Sequence, residues 1–214
     1  MTDFAAARRT MVDNQIRTYD VSEKLVLAAF EAVPREHFVP AADAAVAYID
    51  REQIARDGAT RLMTPLVLAR LMQALEPAPG QTVLDVGSMG YGAALFASAG
   101  LKVVATATDA AAAKTALAAA GASGVEVIGA DAGAGAPKQG PYDIILVHGS
   151  AEVEPESLLA QLKDGGRLGI VMGTGRAGRA TVFRRIGNTF SRARAFDAAA
   201  PALAAFARKA EFAF

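Results

Sequence analysis

The sequence contains no cysteine and only two histidines among its 214 residues. Without cysteine the chain forms no disulfide bond, no thiolate nucleophile and no cysteine-based zinc site. Two histidines are too few for a histidine-rich metal site. We therefore predict that the protein has no metal centre.

The sequence also lacks an excess of charge of either sign, because 22 Lys and Arg residues balance 22 Asp and Glu residues. This balance argues against a general nucleic-acid-binding protein and against a polybasic membrane-surface protein. No apolar run approaches the roughly 20 residues that a membrane helix needs, and charged residues interrupt the first 13 positions, where a secretory signal would be apolar. We expect a cytoplasmic protein that binds no nucleic acid and does not insert into membranes.

The clearest local pattern is a strand, a glycine turn and a helix over residues 83–97. The apolar run at 83–86 is typical of a buried strand, and glycines follow at 87, 90 and 92. An alanine-rich segment then has the composition of a helix. This order predicts the first half of a βαβ unit, in which backbone N–H groups at the helix start can bind an anionic group of a ligand.

The middle of the chain alternates strands with helices of similar length. Strands are predicted at 82–86, 102–106, 125–128, 143–147 and 167–172, and this alternation predicts a parallel sheet covered on both faces. Residues 180–196 have the pattern of a hairpin with Gly187-Asn188 in its turn. The predicted fold is α/β, with a single Rossmann-like, doubly wound, mostly parallel sheet, an N-terminal helical cap and a C-terminal β-hairpin. We predict a single domain over 1–214 with three parts. These are a cap and substrate loop (1–79), a cofactor-binding core (80–175) and a hairpin with tail (176–214).

Six short segments resemble one family of enzymes. They span about residues 10–173 in the family's order and are Met11–Ile16, Val33–Pro40, Ala47-Tyr48, Val83–Gly87, Pro141–Val147 and Leu158–Leu168. Together they resemble the protein-L-isoaspartate O-methyltransferases, which are class I S-adenosylmethionine-dependent methyltransferases. The resemblance implies methyl transfer from S-adenosylmethionine to the α-carboxylate of a damaged aspartyl residue, a repair reaction on proteins.

The resemblance also implies where the cofactor binds, and the chain departs from the family there. The family turn has an acid followed by three alternating glycines, whereas residues 85–90 are one residue shorter and lack the middle glycine. The family's ribose-binding acid falls on Ala107, so that Asp109 is either its replacement or only a helix cap. The implied cofactor-binding residues are Asp85, Gly87, Ser88, Gly90, Asp109 and Asp131.

The implied substrate loop precedes a helix that begins near Pro65. The family pattern G-Q-T-x-S-x-P places its serine at Met63 and its threonine at Arg61. Methionine donates no hydrogen bond, whereas Arg61 is either a fork of donors for a carboxylate or a solvated loop charge. The candidate catalytic residues are Thr60, Arg61 and Thr64. His148, just after a predicted strand, is either a general base or a structural histidine.

Two functions remain open from the sequence. The first is an O-methyltransferase that uses S-adenosylmethionine and acts on a protein carboxylate. The second is a catalytically silent methyltransferase fold that serves as an accessory subunit or assembly partner of a larger protein complex. The partner is accordingly either a protein substrate or a protein complex.

Overall fold

The computed structural model describes residues 3–208, and its N-terminal part is helical. Asp3 is the N-cap of helix α1 (Phe4–Met11), and its carboxylate accepts a hydrogen bond from the backbone N–H of Ala6. The helix continues as a π-helical turn over Val12–Ile16 and a 3-10 turn over Arg17–Tyr19. It stops at Asp20, whose backbone is left-handed with φ 64°.

Helix α2 (Lys24–Ala32) completes the cap and packs on the later helices. Its N-cap residue is Glu23, whose side chain makes no capping hydrogen bond. Backbone N–H groups of Ser22 and Glu23 instead donate to the side-chain oxygen of Gln73. Two 3-10 segments follow, at Arg35–His37 and Ala41–Val46.

The predicted loop before Pro65 contains a small antiparallel hairpin. Its strands are β1 (Gln53–Ile54) and β2 (Arg61–Leu62), in which Ile54 lies opposite Arg61. Helix α3 (Pro65–Ala74) then begins as its sequence predicts, with the Thr64 hydroxyl accepting from the N–H of Val67 and proline in the first turn.

A seven-stranded sheet follows and confirms the predicted fold. In chain order its elements are β3 (Thr82–Val86), α4 (Tyr91–Ser98), β4 (Lys102–Ala107), α5 (Ala110–Ala119), β5 (Val125–Gly129), β6 (Tyr142–Ala151), α6 (Glu156–Leu159), β7 (Leu162–Met172), β8 (Arg179–Ile186) and β9 (Thr189–Asp197). The strand order is β5-β4-β3-β6-β7-β8-β9. The first five strands are parallel, and β8 and β9 form the antiparallel hairpin at one edge.

One predicted helix is much shorter than expected. The sequence predicts helix over 155–163, whereas α6 covers only Glu156–Leu159. Sheet pairing decides the difference, because Leu162 lies opposite Tyr142 and the Tyr142 N–H donates to the carbonyl of Gln161. Those ladder bonds are incompatible with another helical turn.

Hydrophobic side chains cover both faces of the sheet. One core cluster joins the cap and helices α2–α5 to one face, and a second packs α6 and Phe206 on the other. Within residues 3–208, no helix has the length and apolar character needed to cross a bilayer. The division at 79 and 175 stays a prediction, and the last six residues of the predicted tail lie outside the described range.

Candidate active site

The turn between β3 and α4 has an unusual backbone. Three of its residues have left-handed φ angles: Gly87 at 79°, Met89 at 56° and Gly90 at 90°. Glycine adopts this conformation at little cost, whereas methionine does so with strain. The Met89 side chain is buried and lines the adjoining cleft. The chain therefore places a bulky apolar group where the resemblance implies a glycine.

A buried hydrogen-bond network lies beneath this turn. Asp85, fully buried at the end of β3, accepts from His148 Nε2 at 2.7 Å through Oδ1 and from the Ser88 hydroxyl through Oδ2. Ser88 Oγ in turn accepts from the backbone N–H groups of Gly90 and Gly92. Both oxygens of Asp85 are thus engaged within the protein, and the network fixes the shape of the turn.

A cleft of about 510 Å³ opens at the carboxyl ends of β3, β4 and β6. Its volume lies within the range of small-ligand sites in proteins. The wall nearest the sheet is formed by the glycine turn, the end of β4 and its following residues, the segment after β5, and His148. The residues of this wall are Gly87, Met89, Thr106, Ala107, Thr108, Asp109, Ala130, Ala132 and His148. Ligands bind at this edge of open α/β sheets.

The β1–β2 hairpin forms another wall of the cleft. Asp57, Ala59, Thr60 and Arg61 line it. The Asp57 carboxylate accepts from the backbone N–H groups of Ala59 and Thr60 and from the Thr60 hydroxyl. These hydrogen bonds hold Thr60 and Arg61 at the cleft.

A buried arginine connects the hairpin to helix α4. Arg35 is fully buried, donates from Nη2 to the backbone carbonyl of Met63 at 2.9 Å, and lies over the ring of Tyr91 at 4.7 Å. Burial lowers the pKa of Arg35 and raises the pKa of Tyr91. Because Tyr91 begins α4, Arg35 links the segment that follows the β1–β2 hairpin to the end of the glycine turn.

The remaining wall comes from a C-terminal segment that the sequence did not assign to the site. Pro201, Ala202 and Leu203 line the cleft. Their segment pairs with the end of β6, since the Ser150 N–H donates to the Pro201 carbonyl at 2.7 Å and the Leu203 N–H donates back to Ser150 at 3.0 Å. The chain thus returns to its own sheet to close the cleft.

The sequence of this chain matches one protein family over most of its length. The family model for protein-L-isoaspartate(D-aspartate) O-methyltransferase matches residues 6–197. The chain belongs to the protein-L-isoaspartate O-methyltransferase family. It is 42% identical over 175 residues to the protein-L-isoaspartate O-methyltransferase of Methylorubrum extorquens, an alignment that covers 80% of this chain and 76% of that protein. The protein of the same name in Methanoculleus marisnigri is 38% identical, with 75% of this chain and 74% of that protein covered.

Solved structures agree on the fold. One protein-L-isoaspartate O-methyltransferase superposes with a TM-score of 0.77 over 91% of this chain and 65% of its own, at 24% identity. A Plasmodium falciparum structure, described as a putative protein-L-isoaspartate O-methyltransferase in complex with S-adenosyl-L-homocysteine, superposes with a TM-score of 0.75. It covers 95% of this chain and 99% of its own at 18% identity. At these identities the likeness concerns the fold.

The structure brings some of the predicted cofactor residues of this chain to the cleft and keeps others beneath it. Gly87 and Asp109 line the cleft. Asp109 also caps α5 by accepting from the N–H of Ala112, so its position is compatible both with ligand binding and with helix capping. The other residues of the turn, namely Asp85, Ser88 and Gly90, belong to the buried network under it.

Two predicted site residues lie away from the cleft lining. Asp131 accepts from the N–H groups of Gly133 and Ala134 in a local turn, between Ala130 and Ala132, which do line the cleft. Thr64 caps α3, whereas Thr60 and Arg61 from the same loop line the cleft. The assignments of all these residues stay predictions.

Thr106 is a site residue that the sequence analysis missed. It is 2% exposed at the end of β4, lines the cleft, and its hydroxyl has no hydrogen-bond partner among the described residues. Buried hydroxyls are normally paired, so the unpaired Thr106 hydroxyl is a candidate contact for a bound ligand. The only sequence signal was its position one residue before Ala107, where the family has its ribose-binding acid.

Proposed function

We propose that this chain is a carboxyl methyltransferase that binds S-adenosylmethionine in the cleft and methylates an isoaspartyl carboxylate of a protein substrate. The proposal rests mainly on one observation: the glycine turn and the β1–β2 hairpin line the same cleft. Membership of a family whose relatives carry this activity in their names supports it.

The residues present fit the proposed cofactor. The cleft has a suitable volume, the glycine turn and the end of β4 line it, and Thr106 has an unpaired hydroxyl. Asp109 is exposed at its edge and is our candidate for the ribose hydroxyls, since charge-assisted hydrogen bonds are among the stronger ones. Gly87 keeps the backbone close to the ligand, while Asp85, Ser88 and Gly90 support the turn from below. Asp131 stabilises the loop after β5 on what we expect to be the adenine side.

The acceptor side needs positioning more than acid–base chemistry. When bound, S-adenosylmethionine supplies a methyl group that its sulfonium has already activated. The protein must therefore hold a carboxylate oxygen in line with that methyl group and exclude competing water. Thr60 and Arg61 are the hairpin residues at the cleft that carry polar side-chain donors, and Thr64 fixes the start of the helix behind them.

The alternative of a catalytically silent accessory subunit is not favoured. The relatives that cover about four fifths of the chain at about 40% identity carry the name of the enzyme. The departure at Ala107 removes an acidic side chain and that at Met89 adds a bulky apolar one, but both leave an open cleft. The proposed partner is accordingly a protein substrate that contains isoaspartate.

The first test measures binding and transfer on the purified protein. Calorimetric titration with S-adenosylhomocysteine should give micromolar affinity, and S-adenosylmethionine should yield a methyl ester on an isoaspartyl peptide, detected by mass spectrometry. The same peptide with ordinary aspartate should remain unmodified. Absence of binding at millimolar ligand would overturn the proposal, as would equal methylation of both peptides.

A variant at Thr106 tests whether the cleft is the binding site. Thr106→Val removes an unpaired hydroxyl at constant shape, so the stability of the free protein should not fall. Affinity for S-adenosylhomocysteine should fall about fivefold to tenfold, in line with the loss of one hydrogen bond of roughly 1 kcal/mol. Thr181→Val is the matched control, since Thr181 is equally buried, lies outside the cleft lining and donates within the protein to the carbonyl of Arg179. The control should lose stability and keep its affinity.

A further inference from the structure

Arg61 lies on the wall of the cleft that the β1–β2 hairpin forms. It lies on β2 opposite Ile54, its side chain is exposed, and it lines the cleft together with Thr60 and Asp57. Its neighbour Met63, where the family has a hydroxyl, is 1% exposed and therefore contributes no donor. Arg61 is thus the positively charged side chain on this wall.

The charges around Arg61 leave its guanidinium available. Asp57 is the nearest acid in sequence, but its carboxylate accepts three hydrogen bonds from Ala59 and Thr60. In the part of the chain that the structure describes, the Arg61 side chain has no hydrogen bond or ion pair, although its backbone pairs with Ile54. Its five N–H donors therefore remain free to bind a carboxylate of a ligand, in the forked geometry that arginine favours.

The position of Arg61 argues that it binds a group beside the reacting carboxylate and not that carboxylate itself. A guanidinium that paired with both oxygens of the reacting group would stabilise its negative charge and make both oxygens weaker nucleophiles toward the methyl carbon. Arg61 is also exposed on a short strand at the rim, where the residues next to the modified one would pass.

We propose that Arg61 sets acceptor specificity by binding an acidic side chain adjacent to the methylated residue, an inference that rests on the proposed methyltransferase function. The preferred acceptors are therefore acidic peptides. This preference belongs to this chain's own loop, because the arginine stands where the family pattern has a threonine.

The test compares two isoaspartyl peptides that differ only by Glu or Gln next to the isoaspartyl residue, with both flanking positions sampled. Binding to the protein saturated with S-adenosylhomocysteine is measured by calorimetry, and kcat/KM is measured with S-adenosylmethionine. The Glu peptide should be favoured about tenfold, the scale of one charge-assisted hydrogen bond. Arg61→Gln should abolish that preference, so that the Glu and Gln peptides bind with equal affinity.

Arg56→Gln is the matched control. Arg56 is an exposed arginine in the same loop that does not line the cleft, so this variant removes the same charge at a different place. It should keep most of the preference, with only a small loss from long-range attraction that added salt screens.

Several results would overturn the inference. In the first, Arg61→Gln weakens binding of both peptides equally, which would assign Arg61 to the reacting carboxylate. In the second, Arg61→Gln retains the preference for Glu, and in the third the wild-type protein binds neither peptide. These results differ from a failure of the methyltransferase proposal alone. In that case the peptides would bind with the predicted preference, but no methyl ester would form on either of them.

Discussion

At the scale of single residues, Gly92 shows how the buried network constrains the sequence. It lies in the first turn of α4, where its N–H donates to Ser88 Oγ. A Cβ atom at this position would lie 2.3 Å from both Asp85 Oδ1 and His148 Nε2. The sequence pattern predicts a glycine-rich turn here, but it gives no reason for this glycine, because His148 is 56 positions away along the chain. The requirement for glycine is steric and arises only in the folded protein.

We predict that Gly92→Ala destabilises the protein, against the usual effect of this substitution in a helix. Alanine normally stabilises a helix by about 1 kcal/mol relative to glycine. Here the methyl group would displace the Asp85–His148 hydrogen bond, with an expected loss of about 2 kcal/mol or more. Urea unfolding measures the change. Gly129→Ala is the control, since its Cβ would meet only Ala110 Cβ at 3.9 Å. A Gly92→Ala protein at least as stable as wild type would contradict the steric argument.

At the scale of elements, the parallel core was largely predictable and the contacts between elements were not. The sequence predicts β3 with its observed bounds and β4 to within one residue, because buried parallel strands are short apolar runs between glycine turns. The sequence predicts a helix where β7 begins, since Leu158, Leu159 and Leu162 have helical spacing. The pairing of Leu162 with Tyr142, which decides for the strand, leaves no signal in the local sequence. Likewise the β1–β2 hairpin is too short to have a strand pattern.

Asp143 joins three neighbouring strands of this sheet. Its Oδ2 accepts from the backbone N–H and the hydroxyl of Thr82 on β3, and from the Lys163 ammonium on β7. Partial burial alone would raise the pKa of Asp143, but the hydrogen bonds from Lys163 and Thr82 outweigh it and lower the pKa below the ordinary value of 3.8. The ionised form of Asp143 is therefore the one that stabilises the sheet.

We predict that Asp143→Asn lowers the free energy of unfolding by about 1–3 kcal/mol at pH 7, the scale of hydrogen bonds to a charged group. Because the pKa is lower in the folded state, the stabilisation is present above the unfolded-state pKa and is lost as the pH falls through the folded-state value. The difference between variant and wild type should therefore shrink below pH 3.8. Urea unfolding at several pH values measures it.

Asp13→Asn provides the comparison for the Asp143 variant. Asp13 pairs with Arg17 on the cap, with both side chains at least half exposed. Exposed pairs of this kind contribute little, so a change below about 0.5 kcal/mol is expected at neutral pH. Equal effects of the two variants would show that the position of Asp143 between strands has no special value.

At the scale of the whole molecule, the cleft depends on parts of the chain that are far apart in sequence. The hairpin comes from the N-terminal third, the glycine turn from the centre and the last wall from residues 201–203. One hydrophobic cluster runs from Met11 to Ala200, and this shared core supports our proposal of a single domain. The sequence predicts the first two walls by their motifs. It could not predict the third, because the alanine-rich tail has no periodic pattern and its position is set by packing of Phe206.

Phe206 anchors that third wall, and its replacement tests whether the C-terminal segment is part of the binding site. The residue is 4% exposed in the second core cluster, and its carbonyl accepts from the N–H groups of Glu152 and Val153. Phe206→Ala should remove about 3 kcal/mol of packing, so the segment should spend more time detached from β6. The dissociation constant for S-adenosylhomocysteine should then rise in inverse proportion to the docked fraction.

Hydrogen exchange and calorimetry together decide this prediction. The amides of Ser150 and Leu203 hold the segment on β6, so both should exchange faster in Phe206→Ala, and saturating S-adenosylhomocysteine should slow them again. Phe190→Ala is the control, since Phe190 on β9 is 41% exposed and outside the cleft lining. If Phe206→Ala exchanges faster at both amides yet binds the ligand as tightly as wild type, the segment covers the sheet without forming the site. The cleft would then consist of the hairpin and the glycine turn alone.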